Sequence, residues 1–191
     1  MVSYEKLYED VKNSMSEERF KHTLGVVERA VEYAQDYNVN AEDARIAAVL
    51  HDIAKEYSPQ KSYEILEKYG YKLDEIEKKN NKLLHGKVGA LIAKYEYGLP
   101  EEIVSAISYH TTGKANMTTL EKIIYLADAT EKGRVYPERE NELTLEEVVN
   151  LVKRDIDEGL FYVLKWNLEF ILKRNLYIHL DSVNAYNFYK K

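Results

Sequence analysis

The sequence predicts an all-α fold, and three observations carry that expectation. Apolar residues recur at steps of three and four, strand-like alternation is almost absent, and the 3 prolines and 8 glycines act as punctuation between helical patterns. A chain of 191 residues with 45% hydrophobic content can bury a real core. No repeat, low-complexity stretch or flexible linker divides it, so residues 1–191 are expected to form a single-domain helical bundle.

Taken in order, the first clear pattern is "SMSEERFKHTLGVVERAVEYA". Ser14 with Glu17 suits a capping box, and Phe20, Leu24, Val27, Val31 and Ala34 form an amphipathic stripe. Asn40 can cap the next helix, whose inward residues are Ile46, Leu50, Ile53 and Ala54 and which should stop before Ser58-Pro59. Pro59 can open another, ended by Gly70. Further helices fit 83–97 before Gly98, 100–110 with Pro100 in the first turn, and 119–132 behind a capping box from Thr118 to Glu121. Thr144 with Glu147 starts a long pattern broken near Gly159, and Asp181 can cap a last short helix. Eight to ten helices result, with residues 111–118 and 133–144 as loops.

Composition excludes several functions. With 27 Lys+Arg against 33 Asp+Glu, the net charge of -6 argues against a nucleic-acid or anionic-membrane partner. The absence of cysteine removes disulfides, thiolate metal sites and a cysteine nucleophile together. The opening "VSYEKLYEDVKNS" is too charged for a signal peptide, and no apolar run approaches the roughly 18 residues of a membrane span. A cytoplasmic location is the resulting expectation.

The polar exceptions inside the helical patterns carry the functional information. "AAVLHDIAK" sets His51 and Asp52 side by side in an otherwise buried helix, about 100° apart and able to converge on one ion. His22 lies around its helix from the apolar stripe, beside Val26, Ala30 and Tyr33, and should be partly buried. His85 opens a helix in "LLHGKVGA", His110 ends one in "AISYHTTG", and Asp128 sits late in "KIIYLADATEKG". Each has an ordinary account: a surface or hydrogen-bonded histidine, Asp52 paired with Lys55, Asp128 paired with Lys132. A divalent ion explains the set at once, since imidazoles and carboxylates suit Mn, Fe, Co, Ni or Zn.

The order His22, His51-Asp52, Asp128 resembles the HD-domain metal-dependent phosphohydrolase superfamily. The blocks "RFKHTLGV", "AAVLHDIAK", "LLHGKVGA", "AISYHTTG" and "KIIYLADATEKGR", with the tail "LYIHLDSVNAYNFY", resemble the YqeK family, similar to symmetrical diadenosine tetraphosphate hydrolases, from about residue 16 to 190. One departure stands out: members tend to carry an aromatic-Ile-Glu-Pro stretch after the last metal aspartate, and here it reads "ATEKGR", keeping Glu131 and Arg134. The resemblance implies an HD-type helical bundle in which His22, His51, Asp52 and Asp128 hold a divalent transition metal, iron first, with a second ion left open. It implies cleavage of diadenosine tetraphosphate to two ADP by a metal-activated water. Asp52 would ligate and orient the water; His85, His110, Lys55 and Arg134 would meet phosphate charge, with His110 an acid and the Thr111 and Thr112 hydroxyls beside it. Arg19 and the segment Arg174 to His179, including Tyr177, would contact the nucleotide. Two alternatives stay open: an HD enzyme for deoxynucleotides or cyclic dinucleotides, and a non-catalytic nucleotide-sensing metal protein. The expected partner is a small-molecule nucleotide, with a homodimer open.

Overall fold

The computed structural model describes residues 2–134 and 143–190. Among these residues the chain forms ten α-helices, two short 3-10 turns (Glu77–Lys79 and Asn81–Leu83) and no strand. The helices are α1 Tyr4–Ser14, α2 Glu17–Asp36, α3 Ala41–Leu50, α4 Pro59–Lys68, α5 Leu84–Tyr95, α6 Glu101–Tyr109, α7 Thr119–Thr130, α8 Leu145–Arg154, α9 Ile156–Lys173 and α10 Leu180–Tyr189.

The charged opening segment is itself a helix. Ser3 caps it, and Leu7 and Val11, one turn apart, are fully buried. Its end moves the next cap. The Ser14 hydroxyl donates to the Val11 carbonyl (2.8 Å), so Ser14 closes α1, and Ser16 accepts from the Arg19 amide to start α2. The expected box on Ser14 and Glu17 does not form.

Asn40 caps α3 as expected, accepting from the Glu42 amide (2.9 Å). The helix is shorter than its pattern, however, ending at Leu50 where a run to Tyr57 was expected. Residues 51–56 continue as tight turns, with Ile53 N–H on Leu50 O (3.1 Å) and Lys55 N–H on Asp52 O (2.9 Å). One cause is local: the His51 imidazole takes the Ala48 carbonyl (2.6 Å), drawing on a group that a continuing helix would use.

Pro59 is the first residue of α4, and Gly70 closes it at φ +68 with its amide on Glu67 O and that of Tyr71 on Leu66 O, a Schellman stop. The Thr118/Glu121 and Thr144/Glu147 capping boxes both form. The break in the long C-terminal pattern falls at Asp155, not Gly159. Asp155 is extended and its carboxylate accepts from the Asp157 and Glu158 amides, whereas Gly159 lies inside α9 where α8 passes close by. The last cap is His179, whose Nδ1 accepts from the Asp181 amide (3.1 Å), not Asp181. Residues 111–118 form a loop as expected; of the loop expected at 133–144, residues 135–142 lie outside the described ones.

Helix α3 is the axis of the bundle, with α1, α2, α6 and α7 packed on it. Helix α5 pairs with α4 and α6, and α9 bridges α7, α8 and α10. One continuous apolar core runs from Leu7 to Tyr189. No helix among the described residues is long and apolar enough to cross a membrane. The chain order brings the ends of α3, α5, α6 and α7 close to the N-terminal part of α2, and there the polar exceptions meet.

Candidate metal centre

The fold brings together all six residues singled out by their apolar surroundings. His22 comes from the second turn of α2, His51 caps the end of α3 with Asp52 in the turn just after it, and His85 lies in the first turn of α5. His110 caps the end of α6, and Asp128 sits in the last turn of α7. His51 and Asp52 are therefore not consecutive residues of one long helix, although His51 keeps helical angles (φ -53, ψ -38). His51, Asp52, His85 and His110 are buried; His22 and Asp128 are partly so.

Distances define two overlapping donor sets. His22 Nε2 lies 3.1 Å and His51 Nε2 3.9 Å from Asp128 Oδ1. His51 Nε2 is 3.6 Å from Asp52 Oδ2, while His85 Nε2 and His110 Nε2 are 3.2 and 3.5 Å from Asp52 Oδ1. Ligand atoms of His22, His51 and Asp128 lie within 4.8 Å of one another, as do those of His51, Asp52 and His110. Nε2 of His22, Nε2 of His51 and Oδ1 of Asp52 are buried with no hydrogen bond in proper geometry. Buried polar atoms are costly unless paired, and a cation bound among these donors would satisfy them. A nitrogen and oxygen donor set without thiolate fits a divalent transition metal.

Electrostatics prepare the same groups. Burial works to raise Asp52, but the imidazoles of His51, His110 and His85 and the Lys55 ammonium hold its carboxyl well below the usual range. Burial likewise opposes ionisation of Asp128, and His22 and Arg134 override it. Burial lowers His51 to about 4 and pushes His85 down as well, which keeps both rings neutral as ligation requires.

Positive groups ring the carboxylates. Arg19 Nη1 is 3.2 Å from Asp52 Oδ2, Lys55 Nζ is 3.5 Å from Asp52 Oδ1 and 3.0 Å from His85 Nε2, and Arg134 pairs with Asp128. Lys132 does not pair with Asp128; it reaches Glu28 (3.3 Å). His85 and His110 give their Nδ1 atoms to the Lys82 and Ile107 carbonyls, and their Nε2 atoms face each other at 3.0 Å. Two lone pairs cannot face each other so closely without a shared donor, which Lys55 and the Thr111 hydroxyl, 3.2 and 3.1 Å from the two rings, supply.

Above the centre lies a cavity of about 680 Å³, within the usual range for small-molecule sites. Its polar end is formed by Arg19, Lys55, His85, His110, Thr111, Thr112, Asp128 and Arg134. Its other walls are Tyr57, Tyr125, Leu164, Trp166, Phe170, Ile171, Leu176 and Tyr177. Not all of the residues expected to contact the nucleotide line this cavity. Tyr177 is at the rim, but Arg174 does not line the cavity and its guanidinium rests on the Phe170 ring at 4.4 Å. His179 lines the cavity with both nitrogens turned to protein, Nδ1 to the Asp181 amide and Nε2 to Asp74 Oδ2 at 2.8 Å. The Thr112 hydroxyl donates to Gly113 O. Residues without an assigned part in the sequence reading are Glu131, whose carboxylate meets His22 Nδ1 at 3.2 Å, and the aromatic wall of Trp166 and Phe170.

Buried imidazoles and carboxylates from five helices, converging under a cavity in an all-α bundle, define a helical protein with a His/Asp metal centre. The HD domain pattern matches residues 19–133, from the first turn of α2 to just past α7, and the chain belongs to this family. HD domains bind divalent metal, in keeping with the donors found here. Among similar proteins is a symmetrical bis(5'-nucleosyl)-tetraphosphatase of Bacillus subtilis, 34% identical over 93% of this chain and 92% of the relative. Another of that name, from Staphylococcus aureus, is 30% identical over 98% and 95%. A crystal structure from Clostridium acetobutylicum, described as a predicted HD superfamily hydrolase involved in NAD metabolism, superposes with a TM-score of 0.91 at 36% identity, covering 99% of this chain and 97% of that one.

Proposed function

We propose that this chain hydrolyses diadenosine tetraphosphate symmetrically, to two molecules of ADP, at a divalent-metal centre held by His22, His51, Asp52 and Asp128. The observation that carries the reading is the trio of orphaned buried atoms, His22 Nε2, His51 Nε2 and Asp52 Oδ1, beneath a cavity with a cationic end and an aromatic wall. The names of relatives aligned over almost all of both chains support the substrate.

A divalent ion there would polarise a phosphoryl oxygen and lower the pKa of water toward neutrality. Water then attacks an inner phosphorus, the bridge to the central oxygen breaks, and one ADP leaves while the other is formed by hydration. Asp52, held ionised, accepts a hydrogen bond from the attacking water and orients it. Arg19, Lys55 and Arg134, now paired with the two aspartates, turn toward the phosphates. His110 has Nδ1 committed to a carbonyl, so only Nε2 is available to carry a proton to the leaving oxygen. ADP is a good leaving group, and modest acid assistance suffices. Iron is the metal we assign first, on the family resemblance alone, and the same donors also accept Mn, Co, Ni or Zn. Asp52 and Asp128 are the only carboxylates among the six convergent residues, and the Lys55 ammonium already sits between Asp52 and His85, so one ion is held tightly.

Chromatography of the products formed by protein reconstituted with each metal tests the reading. ADP alone is expected, and Asp52→Ala should lose both bound metal and turnover. A mixture of ATP and AMP, or full activity in metal-free protein, would overturn it.

A further inference from the structure

The centre contains four histidines, and three of them are oriented in one way. His51, His85 and His110 each direct Nδ1 to the carbonyl three residues earlier, at 2.6, 2.7 and 2.7 Å. All three lie at helix ends, where carbonyls are not all taken by the helix ladder. His22 has no such option. It lies within α2, Glu17–Asp36, where the preceding carbonyls are committed to the ladder.

Its Nδ1 faces Glu131 Oε1 instead, at 3.2 Å. Glu131 follows the last residue of α7 and is buried, and its second oxygen accepts from the Gly133 amide at 2.6 Å. The slot it occupies is kept open by glycines from two elements. A Cβ on Gly25, one turn beyond His22, would come within 2.6 Å of Glu131 Oε2, and one on Gly133 within 3.0 Å. Both ring nitrogens of His22 face a carboxylate, but only the Nδ1–Glu131 contact has hydrogen-bond geometry, so the hydrogen sits on Nδ1 and the Nε2 lone pair is left for the centre. That Nε2 is the buried atom without a hydrogen bond, 3.1 Å from Asp128 Oδ1.

We propose that Glu131 is a positioning residue that fixes the tautomer and angle of His22 and thereby makes His22 Nε2 a metal ligand. The proposal rests on the metal reading of the centre given above. A carboxylate partner also raises the basicity of an imidazole ligand more than a carbonyl does, which sets His22 apart from the other three. Glu131 touches neither substrate nor reacting atoms in this account; it acts through His22.

The tautomer can be read without any metal. In metal-free protein labelled with 15N-histidine at pH 8, the His22 ring is assigned by its loss in His22→Asn, and long-range nitrogen–proton correlations show which nitrogen is protonated. Wild type should carry the hydrogen on Nδ1, and Glu131→Ala should lose that preference. Competition of the protein with a chelator for Zn or Co should show about 10- to 100-fold weaker binding in Glu131→Ala. Glu131→Gln, whose amide oxygen can still accept, should keep the tautomer with a smaller loss of affinity. An Nε2-protonated His22 in wild type overturns the proposal, and so does a Glu131→Ala variant that keeps either the tautomer or the wild-type affinity. Should that variant fail to fold, Glu131→Gln decides: tautomer kept with weaker metal supports the assignment, while tautomer lost or affinity unchanged overturns it. Wild type with the expected tautomer but no affinity for metal would instead overturn the reading of the centre.

Discussion

The His51 ring has no solvent exposure, and burial lowers its pKa from the ordinary 6.5 to about 4 even though Asp52 and Asp128 oppose the shift. The unfolded chain therefore takes a proton on this residue between those two values and the folded chain does not. The contribution of His51 to stability is full above pH 6.5 and lost as pH falls toward 4, on the order of a few kcal/mol in all. His85 acts in the same direction; Asp52 and Asp128 lose their contributions only lower, as pH drops through the carboxylate range. Urea denaturation of metal-free protein from pH 7 to 4 should show this decline, with a shallower slope in His51→Gln; a stability that rises on acidification would contradict it. Residues of this kind were legible in the sequence because a histidine or aspartate inside an apolar stripe is conspicuous. Glu131 was not, since a glutamate in "ATEKGR" looks like any solvated helix end until the fold sets His22 beside it.

Among the helices, legibility followed the local chemistry of the ends. Thr118, Thr144, Asn40, Pro59 and Gly70 act through hydrogen bonds or backbone angles within a few residues, and each punctuates the chain where the sequence said. The misplaced boundaries depend on contacts that no short window contains. Ser14 was claimed by α1, the continuation of α3 ends where His51 takes a carbonyl, and Gly159 marks a close approach between helices. A Cβ on Gly159 would lie 2.5 Å from Val152 Cγ2 and 2.9 Å from the Val152 Cα, and the backbone atom cannot rotate away. Gly159→Ala should therefore force α8 and α9 apart and destabilise the protein by about 1–3 kcal/mol despite the better helix propensity of alanine. Adding Val152→Ala should restore only part of the loss. An unchanged melting temperature in Gly159→Ala would refute the close contact.

Across the molecule, the HD match ends at residue 133, but the cavity does not. Leu164, Trp166, Phe170, Ile171, Leu176 and Tyr177, all from α9 and the segment after it, form its apolar wall. Trp166 and Phe170 lie near-parallel, ring centres 6.0 Å apart, as a surface on which a base can stack. With base stacking worth roughly 1–3 kcal/mol, Trp166→Ala should raise KM for the dinucleotide about 10-fold or more while metal content stays at the wild-type level. A KM unchanged by the substitution would remove Trp166 from recognition. The division of labour along the chain has a consequence for descent. Because the donors lie between His22 and Asp128 and most of the wall lies beyond Ile156, selection can act on the two largely separately. Substitutions in the tail retune which molecule is admitted, while the bond-breaking apparatus passes unaltered from ancestor to descendant.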